Sequence, residues 1–265
     1  MKRRSFVKTA ALAGTGVAML PSLASAEETI AERSDSQFYE LRVYAVSTPA
    51  QQALVETYLR QAYLPALNKL NIKTIGVFTT LPSVDNTRIF VLIPYSSLDQ
   101  FNKASTALEH DAEYQQQGAA YLNAPASAPA YQRIESSLLR AFSHMPKLVT
   151  PEAKPRMFEL RQYQSASEAA GKKKIEMFND RGEIDIFKRL GFNPVFFAET
   201  IIGPQRPNLT YMVTFDDMAA HDAHWKAFGG DPEWKKISSV PEYADALLVS
   251  KITSTYIIPT AYSQI

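Results

Sequence analysis

The chain has 265 residues, 46% hydrophobic and 21% charged, enough to bury a real core in one large domain or two modest ones. Its formal charge of +1 gives no basis for nucleic-acid binding. With no cysteine it has no disulfide, no thiolate metal site and no cysteine nucleophile.

Residues 1–26 read as a signal peptide. Lys2, Arg3 and Arg4 form a positive start, an apolar stretch runs from Thr9 to Leu20, and Ala24-Ser25-Ala26 supplies a small-x-small cleavage pattern. The stretch is shorter than the roughly 20 apolar residues a spanning helix needs. Arg3-Arg4-Ser5-Phe6-Val7-Lys8 resembles a twin-arginine signal, with Lys2 where Ser or Thr is usual; the alternative is a general secretory signal with a chance arginine pair. Cleavage after Ala26 would leave a mature chain of formal charge −3, expected in the periplasm with no membrane span.

The mature part opens with an alternating strand, 39–44. A helix follows, with Leu54, Val55, Tyr58, Leu59, Ala62 and Leu67 three or four apart and a kink expected near Pro65. Two β-rich runs, 73–80 and 88–94, join through a turn at Pro82, Ser83, Asp85 and Asn86. Interrupted helix is expected from Ser97 to about Ala120, then a strand over 133–142. A proline-rich linker, 144–155, precedes a second series: strand 157–163, helix 168–190 broken near Gly182, strands 194–202 and 209–215, helices over 217–237, and a strand near 247–257.

The two series are copies. Tyr39-Glu40-Leu41-Arg42-Val43-Tyr44 returns 119 positions later as Phe158-Glu159-Leu160-Arg161-Gln162-Tyr163. The strand 89–98 aligns with 209–218, and Asp111-Ala112-Glu113-Tyr114 with Asp231-Pro232-Glu233-Trp234, both at 120. Each copy has the order β-α-β-β-α-β, the ferredoxin-like split unit, which covers one sheet face with helices and leaves the other bare. Two such units bury their bare faces against each other. The expected fold is therefore α+β: tandem ferredoxin-like repeats at 37–145 and 156–262, curled into one barrel as an intrachain pseudo-dimer.

Alternation puts Tyr39, Leu41 and Val43 on one face of the first strand and Glu40, Arg42 and Tyr44 on the other. The apolar set is expected against the helices and the polar set, with Glu159, Arg161 and Tyr163, in the barrel interior. There the charges either form Glu–Arg ties between strands or line a pocket for an anionic or carbonyl-bearing small molecule, with Tyr44 or Tyr163 donating a hydrogen bond or proton. His221 and His224, with Asp222 between them, have metal-compatible spacing but no third ligand, and read as a solvated helix face; no metal site is expected. His224 and His110 are weaker site candidates, His110 as an acid–base group, a haem ligand or a capping residue. Trp225 and Trp234 are expected to fill apolar helix positions, and Lys172-Lys173-Lys174 to be a solvated basic run.

The duplicated Tyr/Phe-Glu-Leu-Arg-x-Tyr strand, followed by a long helix and later by an aliphatic strand ending in an aromatic, resembles NIPSNAP-type domains over essentially the whole mature chain. The resemblance implies the dimeric α+β barrel superfamily, which also holds antibiotic-biosynthesis-type monooxygenases, haem-degrading enzymes and chlorite dismutase-like haem proteins. The NIPSNAP group carries no defined chemical activity. Three readings follow: a protein binding a small molecule between its sheets, a monooxygenase-like or haem-dependent enzyme, and a non-catalytic structural module. No cofactor is evident in the residues, haem is admitted by the superfamily, and a homodimer of the chain is allowed.

Overall fold

The computed structural model describes residues 36–81 and 88–265. The signal-peptide reading, with Arg3, Arg4, Ala24 and Ala26, and the turn through Pro82, Ser83, Asp85 and Asn86 lie outside the described residues.

Eight strands follow the expected places: β1 (Phe38–Ala45), β2 (Gly76–Thr80), β3 (Arg88–Tyr95), β4 (Arg133–Ala141), β5 (Met157–Gln164), β6 (Pro194–Ile202), β7 (Asn208–Phe215) and β8 (Lys251–Pro259). They close a barrel in the order β1-β3-β2-β8-β5-β7-β6-β4. Each half contributes a four-stranded sheet with β1 or β5 central. The halves meet where β2 pairs β8 and where β4 pairs β6, so no sheet edge stays open.

The helices lie outside. In the first half, Pro49–Tyr58 passes through a π turn, Leu59–Tyr63, into Leu64–Lys69. Pro65 has no N–H to donate, and a widened turn stands just before it, where the kink is expected. Ser97 caps the helix Leu98–His110 by accepting from the Gln100 amide, and Asp217 caps its counterpart Met218–Gly230 by accepting from Ala220. Even the surface repeats. Lys69 bridges Asp111 and Glu113 in one half, and Arg189 bridges Asp231 and Glu233 in the other.

The strand faces are the reverse of the expectation. Tyr39 and Leu41 point into the barrel, where they pack with Phe78, Phe158, Leu160 and Phe196 in one apolar cluster shared by both halves. Tyr44 instead packs under the helices with Val55, Tyr58, Leu59 and Tyr63, and Glu40 and Arg42 share its face. The cause is space and dielectric. A closed eight-stranded barrel is just wide enough to be filled by side chains, and unpaired polar groups in it would cost several kcal/mol each. Beneath the helices the same groups find tyrosine and serine partners and an opening to water. A small polar mouth of about 120 Å³, lined by Glu135, Ser137, Gln162, Thr210 and Thr253 among others, opens at the barrel.

Two further expectations change. His221 is buried, not solvated, at 7% exposure. Lys174 is also buried, with its Nζ 3.0 Å from Asp245 Oδ1. No helix among the described residues is long and apolar enough to cross a membrane.

Candidate functional site

The outer face of β1 builds the site. Glu40 and Arg42, two residues apart, point the same way, and the carboxylate Oε1 accepts from Arg42 Nε at 2.9 Å. Across the β1–β4 ladder, Ser136 is the direct partner of Arg42 and donates to the same Oε1 at 2.6 Å. Arg42 donates from Nη1 to the Tyr44 hydroxyl at 3.3 Å and lies 5.0 Å from the Tyr63 ring centroid. The second carboxylate oxygen, Oε2, accepts one long bond, from the Tyr95 hydroxyl at 3.3 Å.

Above this pair, between sheet and helices, lies a cavity of about 330 Å³ whose wall includes Tyr58, Tyr63, Tyr95, Ser105 and Tyr114. Burial pushes the hydroxyls of Tyr58, Tyr63, Tyr95 and Tyr114 up from the usual phenol range, so they are neutral donors at physiological pH. Tyr58 and Tyr114 hydroxyls pair at 2.8 Å, and Tyr58 stacks on Tyr121 with centroids 3.7 Å apart. This is a rigid aromatic wall over a carboxylate with a spare acceptor and a guanidinium with spare donors.

The second half repeats the floor and fills the space above it. Glu159 Oε1 accepts from Arg161 at 2.9 Å and from Ser254 Oγ at 2.7 Å. Arg161 donates to the Tyr163 hydroxyl at 3.0 Å. Here Glu159 Oε2 accepts the Trp225 indole N–H at 3.0 Å, and His221 Nε2 stands 3.3 Å away. The Trp225 ring covers Arg161, its centroid 4.3 Å from Cζ. Phe187, Phe192 and Phe228 pack against the same indole.

The expected site residues are thus brought together in two sets, Glu40, Arg42 and Tyr44 in one half and Glu159, Arg161 and Tyr163 in the other, each under its own helices rather than in a shared interior. The weaker candidates are elsewhere. His110 is exposed and its Nδ1 stands 2.8 Å from the Thr106 carbonyl at the end of its helix. His224 Nδ1 stands 2.6 Å from the Leu190 carbonyl, with its ring against Gly191. A haem in the open crevice would need an axial ligand facing it. None of the four histidines, including exposed His144, lines that cavity, so histidine-ligated haem does not fit it. Among the described residues no group of His, Asp and Glu is placed to hold a metal ion. A larger open groove of about 570 Å³, bordered by Arg181, Ile186, Lys236 and Tyr243, lies on the second half away from both Glu–Arg pairs.

Sequence reasoning missed Tyr63, Tyr95, Ser105 and Ser136 in the open site, and His221 and Trp225 in the closed one. One signal was available. Ser105 and Trp225 are 120 positions apart, the spacing of the repeat itself.

The fold has relatives of known structure. A candidate monooxygenase of Lactobacillus acidophilus superposes with a TM-score of 0.55 at 7% identity, covering 84% of this chain and 94% of its own. An anthrone oxidase-like protein gives 0.53 at 12% identity, covering 85% and 92%. A NIPSNAP family protein of Agrobacterium tumefaciens gives 0.37 at 16% identity, covering 44% and 97%. No curated protein matches the chain in sequence. The NIPSNAP family profile matches residues 39–146 and again 158–264. Those two segments take in both Glu-Leu-Arg motifs, both capped helices and nearly all of the barrel, and the chain belongs to the NIPSNAP family.

Proposed function

We propose that this protein binds a small molecule in the crevice between the sheet and the helices of its first half. One observation carries the reading: the cavity above Glu40 and Arg42 is open, while the same place above Glu159 and Arg161 is filled by Trp225. Ligand sites are typically clefts with mostly apolar walls and a few convergent polar groups, and this crevice has that character. The test is ligand-observed NMR with a mixed fragment library on the unaltered protein and on Ser105→Trp, which puts an indole at the rim. Fragments that bind only the unaltered protein support the reading. A binding profile unchanged by Ser105→Trp contradicts it.

A second reading, oxidation of the bound molecule by dioxygen, draws support from relatives described as a candidate monooxygenase and an anthrone oxidase-like protein. Their identity to this chain is low, so the support is of fold alone. Oxygen uptake in the presence of a bound fragment, lost in Ser105→Trp, would favour it over binding alone.

We propose further that the mature protein resides in the periplasm, a reading supported by the signal-like pattern of residues 1–26. Cell fractionation of the full chain and of an Arg3→Lys/Arg4→Lys variant checks this, with retention of the variant inside the cell as the expected result. Each half supplies all of its own site, so a homodimer of the chain is compatible with this function but not required by it.

A further inference from the structure

The closed half displays what a Glu–Arg pair of this geometry accepts. Trp225 is covalently part of the chain, yet it sits as a ligand would: its N–H donates to the free carboxylate oxygen and its ring lies over the guanidinium. In the open half the corresponding oxygen, Glu40 Oε2, has only the 3.3 Å bond from Tyr95. Arg42 has nothing equivalent to the indole over it except Tyr63, which lies farther away at 5.0 Å.

The two places correspond closely. Ser105 and Trp225 occupy the same position after the capping residues Ser97 and Asp217 of matching helices. Phe101 meets Tyr95 edge-on in one half, as His221 meets Phe215 in the other. Ser105 presents a hydroxyl that turns back to the Asn102 carbonyl at 3.1 Å, leaving the space above the pair unfilled. Charge narrows the ligand further. Glu40 already neutralises Arg42, and Glu109 lines the rim, so an added carboxylate or phosphate meets no unbalanced cation.

Resting on the small-molecule reading above, we propose that the first-half crevice takes a neutral, planar aromatic compound bearing an N–H or O–H donor. The donor is given to Glu40 Oε2 and the ring lies against Arg42 and the tyrosine wall, reproducing the seat of Trp225.

The probe is indole, titrated calorimetrically against the mature protein, with 1-methylindole as the control that keeps the ring and loses the donor. Indole is expected to bind, 1-methylindole to bind about tenfold more weakly for loss of a hydrogen bond to a carboxylate, and Ser105→Trp to abolish both. Equal binding of the two compounds would overturn the proposal, as would indole binding that survives in Ser105→Trp. Should library fragments bind in a Ser105-dependent way while indole does not, the template idea fails and the small-molecule reading stands. Should neither bind, both fail.

Discussion

Ser105 and Trp225 hold the same place in the two halves of one barrel, and they divide its two crevices into an open one and a closed one. The floors beneath them are nearly identical: a carboxylate, an arginine two residues on, a tyrosine two beyond that, and a serine from the neighbouring strand. Duplication made two sites, and Trp225 in the place of Ser105 closes one of them.

The indole contributes to stability as well as closure. Trp225→Ala removes a hydrogen bond to Glu159, the stacking on Arg161 and the contacts with Phe187, Phe192 and Phe228. The indole is partly buried, and a loss of about 2–3 kcal/mol is expected, at or below the low end of large-to-small changes at fully buried aromatics. It is read as a lower urea midpoint at unchanged slope.

The Glu–Arg pair in the open half is buried enough that breaking it is costly. Arg42→Ala leaves the Glu40 carboxylate without its cation and is expected to cost about 3–5 kcal/mol. Replacing both partners, as in Glu40→Leu/Arg42→Met, is expected to recover most of that loss, because neither charge is then stranded. Chemical denaturation of the two variants checks the order.

Glu183 gives the second half a pH dependence. It stands at the position 120 residues after Tyr63, is 2% exposed, and its Oε2 has no hydrogen-bond partner. Burial pushes its carboxyl up to about 7, opposed by Lys174, reinforced by Asp245 and opposed least by Arg161. The folded protein therefore holds this proton to higher pH than the unfolded chain does. Stability contributed by this site is full below the unfolded carboxyl value and declines as pH rises toward 7, by about 3 kcal/mol at most. Glu183→Gln, which stays neutral, is expected to flatten the decline. Denaturation midpoints between pH 4.5 and 8 test it.

Gly191 and His224 form a structural contact rather than a functional one. Gly191 has a φ of +79°, and a Cβ there would stand 2.7 Å from His224 Cε1. Gly191→Ala combines a left-handed backbone with a clash and is expected to cost about 1–3 kcal/mol. Fragment binding in the distant open crevice should be unchanged.

Much of the architecture was legible because the repeat is strong. Glu40-Leu41-Arg42 and Glu159-Leu160-Arg161 mark equivalent strands, and the β-α-β-β-α-β order leaves each unit one bare face to bury. The direction of the faces was not legible. Alternation separates Tyr39 and Leu41 from Glu40 and Arg42, but it carries no sign. The sign comes from the width of the closed barrel, which accepts Leu41 and Leu160 and has no room for paired guanidinium groups with their partners. The site was half legible for a related reason. Its floor lies on one short motif, while its walls come from Tyr63, Tyr95 and Ser105, separated along the chain and joined only by folding. His221 looked solvated because helix spacing alone does not show that Glu159 and Tyr256 wait beneath it.

The two halves present one open crevice and one closed by Trp225, an arrangement that binding stoichiometry can read. Its most direct test is the stoichiometry of indole binding to the unaltered mature protein and to Trp225→Ala, measured calorimetrically with folding checked by circular dichroism. One site per chain is expected in the unaltered protein and two in Trp225→Ala, with the new site absent when Glu159 is also changed to Gln. The same stoichiometry in both proteins would contradict it.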